Sequence, residues 1–219
     1  MFELSGKTLI RMNLKWIVLL GALAVLGILL ACLPSARGIN ADHATPFIAL
    51  SGVPVPEIPA KAADLVYAAA PSRREQTAQE VLRAVSVVAR PGVLPYVVSA
   101  ICRRDPEAAG AAVATAIELR PEEVLVFTTA ALWAAPSQVQ QIVSSACAAA
   151  PVSSANVALV AFRQLPSAKD LILAGFADAL PDLQLYMEKA ELQVGTNDGE
   201  AIIKQTVQLW TDAFKAPVK

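Results

Sequence analysis

Prolines recur every fifteen residues from Pro91 to Pro181, and this spacing constrains the fold more than any other feature of the chain. Seven prolines stand at this interval, although the chain has only 15 prolines among 219 residues. Such a register does not arise by chance, so residues 91–195 form an internal repeat. Because proline fits the first turn of a helix and disfavours helix in the residue before it, each proline ends one helix and begins the next.

Within each fifteen-residue unit, counted from its proline, the apolar residues fall at helical spacing. The fourth place is apolar in the first four units, and the seventh, eighth, eleventh and twelfth places are mostly apolar throughout. This spacing is typical of an amphipathic helix, with about 12 helical residues and roughly 3 for a turn. The predicted inward residues are, at the seventh place, Val97, Ala112, Phe127, Ile142, Val157, Ile172 and Met187, and at the twelfth place Cys102, Ile117, Leu132, Cys147, Phe162, Ala177 and Leu192.

The pattern predicts an all-α fold, an α-solenoid-like array of short antiparallel helices with a fifteen-residue repeat and a thirty-residue helix pair. The helical-repeat domain is predicted to cover residues 60–214, with the strict repeat at 91–195. Before the repeat, residues 60–70 predict a short helix, and the stretch from Ser72 to Glu75 predicts a capping box that opens a longer one. After it, residues 196–199 predict a turn with a helix cap, and a last helix should close the array.

Residues 1–36 are predicted to be an export signal peptide or a membrane anchor, because three basic residues precede an apolar run at 16–33. Three alternatives stay open. The run can span a membrane as an uncleaved helix. Ser35 and Ala36 permit cleavage, and Leu29-Leu30-Ala31-Cys32 resembles the lipobox of bacterial lipoproteins, which would make Cys32 the lipidated residue. Each alternative predicts an exported protein of the periplasm or cell envelope, tethered to the membrane or secreted.

Residues 37–59 contain four prolines and predict an extended linker between the N-terminal segment and the repeat domain. The only histidine, His43, lies in this linker and is assigned no role. The net charge is −1 and charged residues make up 17% of the chain, which does not favour a nucleic-acid partner.

The stretch from Val124 to Phe162 contains no charged residue. One interpretation is the buried centre of the array, since the helix after Pro121 is apolar most of the way round and should be covered on both sides. The other is an interface for a protein partner, a second copy or a lipid, because an uncharged patch with an exposed tryptophan is unusual on a monomer. The interface candidates are Trp133, Gln138, Gln141 and Ser145.

The sequence contains no motif that indicates catalysis, a cofactor or a metal. It has no phosphate-binding glycine loop, no nucleophile elbow and no paired metal-ligand spacing, so an enzyme is not predicted. Cys102 and Cys147 share the twelfth place of their units, and two buried thiols are favoured over a disulfide.

Over residues 60–214 the chain resembles α-solenoids in general, and it is similar to exported bacterial proteins built of alanine-rich, proline-phased helices. It departs from the tetratricopeptide and HEAT patterns, so the resemblance implies a fold and no active-site residues. The leading hypothesis is an envelope-tethered, non-enzymatic scaffold or protein-interaction module. The alternative is a carrier that holds a lipid or another apolar ligand within the helical array.

Overall fold

A computed structural model describes residues 41–215, except for the side chains of residues 41–45, 91, 214 and 215. Over this range the chain is all-helical, with about ten successive short helices of 14 residues and no strand. The described residues from His43 onward belong to one compact unit. The predicted signal or anchor at 1–36, with Cys32, lies outside the described residues.

Each repeat unit folds as a three-residue 3-10 turn, an eleven-residue α-helix and one non-helical residue. In the first unit the 3-10 turn is Pro91–Val93, the α-helix is Leu94–Arg104, and Asp105 leaves the helical region at φ −139° and ψ 88°. The backbone N–H of Asp105 donates to Ile101 O at 2.8 Å, and its carbonyl accepts from the N–H of Ala108 at 3.2 Å. One residue therefore closes one helix and opens the next, where the sequence predicts about three turn residues.

The structure contains eleven α-helices within the described range. They are α1 (Ala41–Leu50), α2 (Ile58–Ala68), α3 (Arg74–Val88), α4 (Leu94–Arg104), α5 (Ala109–Leu119), α6 (Val124–Ala134), α7 (Val139–Ala149), α8 (Ser154–Gln164), α9 (Lys169–Ala179), α10 (Gln184–Val194) and α11 (Gly199–Lys215). A 3-10 turn precedes each helix from α2 to α10.

The helices from α2 to α9 pack in two layers. Each helix packs on the helix two places along the chain and also on its immediate neighbour. The first layer is therefore α2, α4, α6 and α8, and the second layer is α3, α5, α7 and α9. Between the segments Pro136–Ala149 and Pro151–Gln164 the chain turns by 120°, which falls short of the full reversal of an antiparallel pair.

The core lies between the two layers and is built from the places that the periodicity indicates. Every seventh-place side chain is buried, and so are the twelfth-place side chains of the first five units. The prediction is wrong at Leu192, which is 88% exposed, and Ala177 is only partly buried. Burial of an aliphatic side chain stabilises a fold by about 1.5–3 kcal/mol, so these repeated contacts dominate the stability of the array.

The layered array ends at α9 and not at α10. The last helix, α11, packs on α8 and on α10, so it occupies the place beside α8 that the repeat would give to α10. Gly195 ends α10 at φ +81°, a conformation that favours glycine. The carboxylate of Asp198 accepts the backbone N–H of Ala201 at 3.0 Å, which confirms the predicted turn with a helix cap.

Two predictions for the N-terminal part of the domain are wrong. Residues 41–50 lie in the predicted extended linker, yet they form α1, and Leu50 at its end is fully buried. The predicted capping box does not form, because Pro71–Arg73 make a 3-10 turn and neither this turn nor α3 has a side-chain cap. The inner face of α3 is as predicted from Ala78 to Val85, with Val88 only partly buried.

Two glycines allow the helices of the second layer to approach closely. A Cβ on Gly110 of α5 would lie 2.7 Å from Ser145 Oγ and 2.8 Å from Gln141 Cγ. A Cβ on Gly175 of α9 would lie 2.5 Å from the backbone oxygen of Gln140, which cannot move without the rest of α7. Helix α7 therefore sits between two close neighbours: its side chains pack on the backbone of α5 at Gly110, and its own backbone approaches α9 at Gly175.

We expect Gly175→Ala to destabilise the protein by about 1–3 kcal/mol, because the added methyl must push α9 away from α7. Gly92→Ala is the matched control, since a Cβ there meets nothing within 4 Å and the φ is not left-handed. That change should leave stability unchanged or raise it by up to about 1 kcal/mol. Urea unfolding followed by circular dichroism measures both. Equal losses in the two variants would contradict the close α7–α9 contact.

Candidate interaction surface

The sixth and thirteenth places of each unit point away from the core, and they form the outer surface of each layer. All thirteenth-place residues from α4 to α9 are exposed. On the first layer, the two places together hold Tyr96, Arg103, Val126, Trp133, Asn156 and Arg163. On the second layer, they hold Ala111, Glu118, Ala148, Leu171 and Asp178, together with Gln141, which is partly buried against α5.

Trp133 is the largest apolar side chain on the outer surface of the first layer. It is 76% exposed, and Val126, two helical turns earlier on the same side of α6, is 50% exposed. Helix α6 has neighbours on both sides in its layer, as the sequence predicts for this apolar helix. Val126 and Trp133 on its outer side are exposed, because no third layer lies outside them within the described range.

Gln138, Gln141 and Ser145 do not form one surface with Trp133. They lie on α7 and the turn before it, in the second layer, and all three are partly buried. Ser145 and Gln141 pack on α5 at Gly110, and the Gln141 Nε2 donates to the carbonyl of Glu107 at 3.4 Å. Both residues are therefore helix–helix contacts within a layer, where the sequence suggests a free outward face.

A shallow polar groove lies on the outer surface of the second layer, between α7 and α9. It has a volume of about 400 Å³ and is lined by Ser137, Gln138, Gln140, Gln141, Ser144, Ser145, Leu171 and Asp178. Gln140 Nε2 donates to Asp178 Oδ2 at 2.9 Å across it. Amide and hydroxyl groups make up most of the lining of this groove, and none of its lining side chains is positively charged.

A second, more apolar groove lies on the first layer between α2 and α4. Its volume is about 580 Å³, and its lining is Val55, Pro56, Pro59, Ala60, Gly92, Val93, Tyr96, Ser99, Ala100 and Arg103. A neighbouring hollow of about 390 Å³ continues past Ala63 to Asp64 and Arg104. The groove exists because small residues line both helices, and Arg103 supplies the charge at its edge.

Arginines surround Tyr67 at one edge of the first layer, an arrangement that the sequence does not predict. The guanidinium of Arg104 lies 4.3 Å from the ring centroid and that of Arg74 lies 4.9 Å from it. Arg74 Nε is also 3.6 Å from Asp105 Oδ2, and Asp105 is almost fully buried. These contacts join α2 to α3 and α4, so Arg74 and Arg104 stabilise the packing of the three helices.

The thiols of Cys102 and Cys147 are buried and unbonded, as the sequence predicts. Burial raises the pKa of each thiol to about 12, because the apolar surroundings disfavour the thiolate; a backbone hydrogen bond opposes this slightly at Cys102. Cys147 Sγ donates weakly to Ser154 O at 3.7 Å. Neither cysteine has the character of a nucleophile.

No group of three or more His, Cys, Asp and Glu side chains between residues 41 and 215 is arranged to hold a metal ion.

Over the same range no single helix is long and apolar enough to cross a membrane. The segments Pro136–Ala149 and Pro151–Gln164 reach that length and composition only together, across their 120° bend. Cys32 and the apolar run 16–33 lie outside this range, so the three alternatives for the N-terminal segment remain predictions.

Comparison with known proteins finds no matching family model, no matching curated protein and no matching solved structure.

We expect the stability of the protein to fall steeply above pH 9, in part through the two cysteines. The unfolded thiols titrate near their ordinary value of 9.0 and the folded ones near 12, so the unfolded state loses its protons first. Each thiol should lower the free energy of unfolding by about 1.4 kcal/mol per pH unit in this window.

The measurement is urea unfolding between pH 8 and pH 11, with the Cys102→Ala/Cys147→Ala variant as the control. Tyrosine and lysine titrations affect both proteins equally, so the difference in slope reports the thiols. Parallel slopes would contradict the buried, neutral thiols.

Proposed function

We propose that this protein is a non-enzymatic scaffold of the cell envelope, an α-solenoid of short helices that binds a protein partner through the outer surface of its first layer. The observation that carries the proposal is Trp133, 76% exposed near the end of α6, a helix without charged residues. Tryptophan is the residue type most enriched among those that dominate binding energy in interfaces. The N-terminal segment would supply the tether to the membrane.

The layered arrangement supports this proposal because it places most of the apolar residues between the layers and leaves the outer surface of each layer without further cover in the described residues. Repeat arrays use such extended surfaces for binding. Helix α6 itself has no charged side chain, so the surface around Trp133 costs less to desolvate than a charged one when a partner covers it.

A carrier of an apolar ligand is the second candidate, and the groove between α2 and α4 favours it. The groove's volume of about 580 Å³ falls within the range of small-molecule sites. Its lining is mostly apolar, and Arg103 could neutralise the acidic head of an amphiphile. The groove is open along its length, so a long acyl chain would stay partly in water.

A photoreactive amino acid in place of Trp133 tests the scaffold in cells of its own host. We expect a discrete crosslinked product from this position and none from the same substitution at Leu192, which is 88% exposed on α10. Absence of a product from both positions would contradict the scaffold.

The carrier is tested by mass spectrometry of lipids extracted from the purified full-length chain. If the protein is a carrier, a lipid should be present in stoichiometric amount, and Ala60→Phe should remove it by filling the groove. If the protein is the proposed scaffold, lipid should be substoichiometric and unaffected by Ala60→Phe, and the crosslink at position 133 should persist in that variant.

A further inference from the structure

The outer surfaces of the two layers carry opposite charges at equivalent positions. At the thirteenth place, the first layer presents Arg103 on α4 and Arg163 on α8, with Trp133 on α6 between them. At the same place the second layer presents Glu118 on α5 and Asp178 on α9, with Ala148 on α7 between them. Every one of these side chains is exposed.

The repeat gives the basic pair of the first layer and the acidic pair of the second layer the same spacing. Arg103 and Arg163 are four units apart, which is two steps within the first layer. Glu118 and Asp178 are also four units apart and two steps apart within the second layer. With neighbouring helix axes 8–10 Å apart, both pairs span about 20 Å. A translation that carries each first-layer helix of one copy onto the following second-layer helix of the next copy therefore brings each arginine to an acidic residue.

The central residues are complementary in size as well. Trp133 projects from the first layer, whereas its counterpart Ala148 is small and lies beside the polar groove between α7 and α9. Leu171 lines that groove and is 47% exposed, so it offers an apolar contact for the indole ring. The serine and glutamine side chains around it can be covered at low desolvation cost.

We propose that the partner of this scaffold is a second copy of the chain, with the first-layer outer surface of one copy docked on the second-layer outer surface of the next. In this arrangement Arg103 faces Glu118, Arg163 faces Asp178, and Trp133 covers Ala148. This inference rests on the proposed scaffold function and names its partner. The footprint of three helices, about 20 Å by 30 Å or roughly 600 Å², lies at the lower end of specific interfaces, which bury about 600–1,000 Å² per partner.

The two surfaces differ, so the contact is heterologous and does not close by itself. Each added copy leaves one free surface at either end, which produces a growing stack instead of a closed dimer. The average mass should therefore rise continuously with concentration.

Two of the four charges serve as probes because they have no partner in the structure. Within residues 41–215, neither Arg103 nor Glu118 makes an ion pair or a side-chain hydrogen bond. Arg163 Nε is 3.6 Å from a carboxylate oxygen of Glu200, and Asp178 accepts from Gln140. Changes at Arg103 and Glu118 therefore alter the outer surfaces without breaking an internal contact.

The test is sedimentation of the full-length chain in density-matched detergent, with Arg103→Glu and Glu118→Arg as single variants. Either reversal should place like charges opposite each other and weaken association at least tenfold. The control is Glu188→Arg on the exposed side of α10, outside the layers, which should associate as the wild type does. Circular dichroism should show the same helical content in all variants.

Restored association distinguishes direct docking of the two surfaces from a general effect of the changed net charge. An equimolar mixture of the two single variants should associate again, because each variant then offers the surface that the other needs. The variant that carries both changes should also associate by itself. Failure of both rescues would overturn the proposal even if the single variants were monomeric.

The inference and the proposed function can fail separately. A wild-type chain that stays monomeric at all concentrations, while the crosslinker at position 133 captures a protein of different mass, overturns self-association and leaves the scaffold in place. A crosslinked product of twice the mass of the chain supports self-association. No crosslinked product from position 133 overturns both.

Discussion

The single non-helical residue between successive helices is the constraint on which the rest of the structure depends. Proline at the start of the next unit keeps this residue out of the helical region, so one helix must stop there. One residue is too short to reverse the chain completely, and the turn between α7 and α8 is 120°. Successive helices therefore alternate between two layers. Because the connection is the same in each unit, a place in the repeat corresponds to a fixed direction in space.

This correspondence explains why much of the core was predictable from the sequence. The seventh place is buried in all seven units, including the small Ala112 and the large Phe127. Periodicity cannot predict where the array stops, because burial depends on what packs against a helix. Leu192 continues the apolar pattern, yet α11 takes the position beside α8, and Leu192 is left in solvent. The helix at 41–50 was missed for a related reason, since a proline-rich composition reports local preference and not tertiary contact.

The candidate surface was predicted only in part, and the reason lies in the geometry of a layer. A helical pattern separates the side that faces the core from the side that does not. It gives no information on the flanks, which in a layered array contact the helices two places away. Gln141 and Ser145 lie on such a flank, against Gly110. Trp133 lies between the two flanks of α6 and remains exposed, as the interface hypothesis requires. Gly110 and Gly175 could have signalled the close contacts, since glycine is unfavourable within a helix unless the space is needed.

At the thirteenth place from α4 to α9, basic residues occur only in the first layer and acidic residues only in the second, whereas the apolar residues recur in every unit. Alignment of single units mixes Arg103 and Arg163 with Glu118 and Asp178, so the thirteenth place looks merely polar. Once the layers are known, the basic residues separate from the acidic ones, because odd and even units lie on opposite sides of the array. The core does not need this distinction, since both layers contribute alike to the space between them. A difference confined to the outer surfaces points to contacts outside the chain, and in the stack proposed above the opposite signs on opposite sides would orient each copy on the next.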